Sequence, residues 1–167
     1  MQEFFVNAIR IFITGGTFDK EYDEITGRLF FKTSHLDEML KLGRCERPLQ
    51  TETLMMVDSL EMGDTERLKI VTACQEAVED HLVITHGTDT MTNTAKTIAA
   101  AGINKTIVIT GAMIPYKFGS SDGLFNLASA IAYSDLLSPG VYIAMNGRYF
   151  KWDKVKKDKA LGRFVST

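Results

Sequence analysis

The chain has 167 residues, 45% of them apolar and 24% charged, with a formal net charge of −2. A chain of that length buries roughly 70% of its unfolded surface without staples, and its near-neutral charge offers no electrostatic footprint for nucleic acid or an anionic membrane. No apolar run approaches the ~18 residues of a membrane span, no basic-then-apolar leader opens the chain, and Cys45 and Cys74 lack metal-ligand spacing, which suits a reduced, cytoplasmic setting.

Residues 1–8 read as a lead-in to a strand over 9–14. Phe18 to Thr33 is polar and aperiodic, so it reads as a long loop of the kind that serves as a lid. Ser34 caps a short helix that ends before Gly43. Thr51 to Val57 is β-rich and leads into an Asp58-Ser59 turn. A helix starts at Asp64 or Thr65, with Leu68, Val71, Thr72, Gln75 and Val78 at helical spacing. A strand over 82–85 follows, then a helix from Asp89 to Ala101 stopped by Gly102. A strand over 106–110 leads into a Gly- and Ser-rich loop over 117–121. The next helix begins near Asp122 and carries Leu124, Leu127, Ala128, Ile131 and Leu136 as its apolar stripe. Val141 to Met145 is the last buried strand, and the tail from Asn146 is a hairpin or an arm. Strands alternating with helices predict a single α/β domain, a doubly wound, mainly parallel sheet with helices on both faces.

Three apolar runs end alike: Ile11 to Thr17, Leu82 to Thr90, and Ile107 to Ala112 each close on Thr and small residues. Ligands of open α/β sheets bind beyond the carboxyl ends of the strands, so these turns form one polar rim. Thr17, after Gly15-Gly16, is either a local backbone cap or a nucleophile, and a nucleophilic hydroxyl needs a base or relay beside it. Thr88 is either an N-cap or part of an oxyanion-facing helix start with Asp89. His86 beside a glycine suits a packed structural residue better than a base. The Gly-rich phosphate-binding and nucleophile-elbow motifs are absent, and His35, His81 and His86 have no zinc spacing with the cysteines. The lysines from Lys151 to Lys159 are interrupted by Asp153 and Asp158, as on a solvated face.

Thr14-Gly15-Gly16-Thr17, His86-Gly87-Thr88-Asp89-Thr90, and Gly111-Ala112-Met113 with Ser121-Asp122-Gly123-Leu124-Phe125-Asn126 together resemble the asparaginase family, the bacterial-type enzymes with two catalytic threonines. The resemblance runs from the first strand almost to the end of the chain. It implies an asparaginase N-terminal-type catalytic domain over 1–167, with Thr17 as nucleophile and Thr88, Asp89 and Lys157 as a second catalytic group. Ser59 then holds the substrate α-carboxylate, and Asp89 its ammonium. Gly16, Gly87 and Glu61 complete the substrate contacts, and Tyr22 is the lid tyrosine. Leu60 stands where the family carries Gln, and the family's second domain has no counterpart. The implied reaction cleaves the side-chain amide of L-asparagine through an acyl-enzyme, with no metal or organic cofactor. Glutamine, a D-amino acid or a peptide amide is the alternative substrate, and a catalytically silent binding module is the alternative role. A homo-oligomer, a dimer or a dimer of dimers joined near the aromatic tail, is expected to cover the rim.

Overall fold

The computed structural model describes residues 8–167. In chain order these form β1 (Ile9–Gly15), a 3-10 turn (Thr17–Asp19), β2 (Lys20–Asp23), β3 (Arg28–Phe31), α1 (Leu36–Leu42), β4 (Leu49–Val57), α2 (Asp64–Glu76) and β5 (His81–Thr85). There follow α3 (Met91–Ala100), β6 (Thr106–Thr110), a second 3-10 turn (Tyr116–Phe118), α4 (Gly123–Leu136), β7 (Gly140–Met145), β8 (Arg148–Lys151), β9 (Val155–Asp158) and β10 (Arg163–Ser166). Six strands make the main sheet in the order β4-β1-β5-β6-β7-β8. All its pairs are parallel except β7–β8.

Both faces of that sheet are covered, which is why its strands are apolar without alternation. Phe12, Leu82, Ile84, Ile107, Ile109 and Ile143 pack toward α2 and α3. Ile11, Val83, Val108, Tyr142 and Ala144 pack the other way, toward α1 and α4. Each fully buried aliphatic chain here contributes roughly 1.5–3 kcal/mol relative to exposure. Register then sets the rim. Ile13 pairs with Thr85 and Thr85 with Thr110, so three strands end level and discharge their loops at one place.

The segment over 18–33 is not an unstructured loop. Its centre is the antiparallel β2–β3 hairpin, with Tyr22 opposite Leu29. Asp23 closes the turn, accepting from Ile25 N–H and the Thr26 hydroxyl, and Gly27 takes a φ of 69° that suits glycine. Two four-residue strands without a buried residue carry no burial pattern for a sequence to display. The face of α2 is also rotated from expectation. Arg67, Ile70, Val71 and Cys74 are buried, whereas Leu68, Thr72 and Gln75 face solvent, and the exposed Val78 lies beyond the helix. A buried arginine beside an exposed leucine shifts the apparent stripe by one residue, about 100° around the helix. In α4 the same happens at Ala128 and Leu136, which are exposed, while Asn126, Ala130 and Ser134 are buried.

The tail turns back on the domain. β8 adds antiparallel to β7, and β9–β10 is a hairpin with Lys157 opposite Phe164. Phe150, Val155 and Phe164 join the core, with Trp152 packed against them. Phe150 and Phe164 thus fill their own fold, while Tyr149 on the same tail stays exposed.

Candidate active site

Two glycines bring the rim together. Gly16 has a φ of 79°, and a Cβ built there would meet Gly87 N at 2.3 Å. A Cβ on Gly87 would lie 2.5 Å from Ser59 Oγ. The backbone before Thr17, the backbone before Thr88, and the Ser59 side chain are therefore stacked in contact, an approach that any side chain would block. Gly16 N–H also donates to the Val57 carbonyl at 3.1 Å, tying the Thr17 turn to the end of β4. The strand-end threonines stitch the layer beneath. Thr14 Oγ1 donates to the Thr85 carbonyl at 2.7 Å, and Thr110 Oγ1 to the Ala144 carbonyl at 2.8 Å.

Lys157 completes the group. Its ammonium donates to Thr88 Oγ1 and to Asp89 Oδ1, both at 2.8 Å. An ammonium has no acceptor site, so it leaves the Thr88 proton free to point elsewhere. Thr88 is buried and Lys157 mostly so, while Asp89 opens to solvent on one side. Thr88 does not cap α3. Thr90 holds the N-cap position, and its hydroxyl donates to the Ser59 carbonyl at 2.7 Å.

Lys157 is delivered by contacts that sequence reading passed over. Asn126 Nδ2 donates to the Gly111 carbonyl at 2.9 Å, and its Oδ1 accepts from Asn146 N–H at 3.2 Å. Asn146 Oδ1 in turn accepts from Phe164 N–H at 2.9 Å, and Phe164 is the cross-strand partner of Lys157. Asn146 sits at a φ of 59°, a conformation that asparagine tolerates better than most residues. Its place at a strand end was the available signal.

The Thr17 turn is anchored by Asp19. Its Oδ1 accepts from the Ser34 hydroxyl at 3.0 Å and from His35 N–H at 2.8 Å. Burial pushes this carboxyl above its ordinary pKa in spite of those donors. Ser34 also accepts from Leu36 N–H just ahead of α1, but the N-cap position expected for it belongs to His35, whose side chain makes no cap bond. Lys20, at the foot of the hairpin, pairs with Asp58 immediately before Ser59.

His86 is a structural residue. It is wholly buried, Nδ1 lies 2.8 Å from the Gly87 carbonyl, and burial lowers its pKa to about 4. Glu61 is exposed on the turn after Ser59, held there by its N–H to the Asp58 carbonyl. Tyr22 is 54% exposed, and its hydroxyl lies toward Gly27 at the hairpin turn. Among the described residues, no hydrogen bond brings it to Thr17 or Thr88. The geometry thus gathers Gly16, Ser59, Gly87, Thr88, Asp89 and Lys157 around the Thr17 turn and leaves Tyr22 and Glu61 at the margin.

The fold and site define a doubly wound α/β domain with a hydroxyl–lysine–carboxylate group on its carboxyl-end rim. The sequence profile described as Asparaginase, N-terminal matches residues 8–163, and the chain belongs to the asparaginase family. It is 29% identical over 157 residues to an L-asparaginase of Thermococcus kodakarensis, covering 89% of this chain and 47% of that one. The solved structure of the thermostable L-asparaginase from that organism superposes with a TM-score of 0.81 at 27% identity, over 95% of this chain and 51% of the other. A probable cytoplasmic L-asparaginase from Campylobacter jejuni gives 0.79 at 28% identity, over 96% and 53%. A glutaminase-asparaginase of Pseudomonas fluorescens is 32% identical over 91 residues, 52% of this chain and 24% of that one. The chain spans about half the length of the first of these relatives. Among the described residues no helix is long and apolar enough to cross a membrane.

Proposed function

We propose that this chain hydrolyses the side-chain amide of L-asparagine to aspartate and ammonia. The observation that carries the reading is the Lys157–Thr88–Asp89 cluster, set beside the Gly16–Gly87 contact that leads into Thr17. Thr17 Oγ attacks the amide carbon, the C–N bond breaks, and ammonia leaves with the proton that Thr17 gives up. The resulting β-aspartyl ester is attacked by water, and Thr17 recovers a proton as aspartate departs. Thr88 and Lys157 organise the proton movements, since a hydroxyl so close to a cation is more readily polarised. Asp89 offers its solvent-facing oxygen to the substrate ammonium, and Ser59 its hydroxyl to the α-carboxylate.

The exposed Leu60, at the position where the family carries Gln, offers no side-chain hydrogen bond to a substrate and leaves selectivity open. Glutamine and D-amino acid amides are therefore the second reading. A cytoplasmic location is part of the proposal, supported by the similarity to the Campylobacter protein. So is a homo-oligomer, whose support is the solvent-open side of Asp89. Ammonia release from asparagine, glutamine and their D-forms tests the function. Thr17→Ala is the control, expected to lose roughly three decades of turnover while melting as the wild type does. A folded Thr17→Ala protein with wild-type turnover would remove Thr17 from the reaction.

A further inference from the structure

Arg67 belongs to none of the motifs, yet it is buried in α2, 8% exposed. Its hydrogen-bond partners are two threonine hydroxyls. Nε donates to Thr94 Oγ1 and Nη2 to Thr90 Oγ1, each at 3.2 Å. A guanidinium can only donate, so both hydroxyl oxygens must accept from it and send their single proton onward.

The two onward paths reach the site. Thr90 passes its proton to the Ser59 carbonyl at 2.7 Å. Thr94 lies 2.8 Å from His86 Nε2. Met62 Sδ, 3.1 Å from that nitrogen and 3.7 Å from the Thr94 oxygen, competes as a weak acceptor only. The Gly87 carbonyl, 2.8 Å from Nδ1, can only accept, so the neutral ring carries its proton on Nδ1 and leaves Nε2 to accept from Thr94. The low pKa of His86, set by burial first and aided by the charge of Arg67, keeps the ring neutral and this polarity intact.

We infer that Arg67 is a positioning residue. By donating to both hydroxyls, it fixes where the Thr90 and Thr94–His86 hydrogen bonds are made, and so holds the carbonyls of Ser59 and Gly87, and with them the two substrate-facing turns. Gly87 is pressed between Gly16 and Ser59, so a rotation of its peptide has no free space to enter. The effect on turnover rests on the amidohydrolase reading, whereas the proton polarity does not.

The ¹⁵N shifts of the His86 imidazole at neutral pH read that polarity directly. The wild type is expected to show one neutral tautomer, protonated at Nδ1. Arg67→Met leaves Thr94 without the donor that holds its hydroxyl in place, so the Nε2 resonance should move toward that of an unbonded nitrogen while Nδ1 stays protonated, and Arg67→Lys should restore it in part. Thr94→Val removes the donor to Nε2 and is expected to move that resonance the same way with Arg67 still in place. In ammonia release, Thr90→Val should raise KM about tenfold with kcat little changed, the pattern of lost uniform binding. Arg67→Met should raise KM and lower kcat, each by about 10–100-fold, the scale of losing hydrogen bonds to a charged group. A protein inactive on every amide whose His86 still follows this pattern keeps the relay and sinks the amidohydrolase reading. A wild-type ring protonated at Nε2, or a folded Arg67→Met protein with an unchanged Nε2 shift and unchanged kinetics, would overturn the inference.

Discussion

Replacing Gly16 by alanine should separate the effect of backbone conformation from that of loop contact. The residue has a φ of 79°, which costs an L-residue about 1–2 kcal/mol. Its new Cβ would lie 2.3 Å from Gly87 N, 2.5 Å from Gly87 Cα and 2.8 Å from His86 C. All three are backbone atoms and cannot swing aside, so an overpacking cost of about 1–3 kcal/mol is added. The sum, roughly 2–5 kcal/mol, corresponds to a Tm lowered by about 4–20 °C in a domain of this size. Gly102 is the matched control. Its φ is 62°, but a Cβ there meets nothing within 4 Å. Gly102→Ala therefore carries only the backbone cost, offset by about 0.4–1 kcal/mol from a less flexible unfolded chain. Thermal unfolding of both variants measures the contact by difference. Ammonia release measures what it does for the site, where a misplacement of about 1 Å is expected to cost on the order of 10²-fold in kcat/KM. Equal melting of the two variants, with wild-type turnover in Gly16→Ala, would show that the two glycine turns do not have to touch.

Two further outcomes are expected. Lys157→Met and Thr88→Val should each lower turnover by about 10²–10⁴-fold, with the double variant little worse than either, because residues in one relay are not additive; simple addition of the logarithmic losses would separate them. The low pKa of His86 means that the unfolded chain takes up a proton near pH 6.5 that the folded chain refuses until about 4. Stability is therefore complete above 6.5 and falls by about 3 kcal/mol as pH drops to about 4. His86→Asn, which cannot titrate, should flatten that slope in urea unfolding, and an unchanged slope would assign it to other groups.

The parts of the fold legible in the sequence are those where burial is complete. Leu82 to Thr85, Ile107 to Thr110 and Val141 to Met145 are covered on both faces, so no register error could disguise them as anything but strands. Arg67 misled the reading of α2 because its buried guanidinium is satisfied by two threonines far along the chain, and nothing local marks it as internal. The β2–β3 hairpin was hidden by its exposure. At the site, the motifs pointed to Thr17, Thr88 and Asp89, and the family resemblance to Ser59 and, by distance from a strand end, Lys157. What supports Lys157, the path through Asn126, Asn146 and Phe164, links residues 18 and 20 positions apart, and it exists only once the sheet has formed.

That path has a consequence for heat. The five parallel strands and the Thr17 and Thr88 turns belong to one tightly packed body, but Lys157 rides on a two-stranded hairpin outside the main sheet. Val155 and Phe164 tie that hairpin to the core, but two strands hold a shorter ladder than six and open at lower free energy than the main sheet. Each such opening withdraws the lysine while leaving both hydroxyls where they were. Warming should therefore silence the protein in two stages, first by reversible loss of one cation from an otherwise intact rim, and only later by melting.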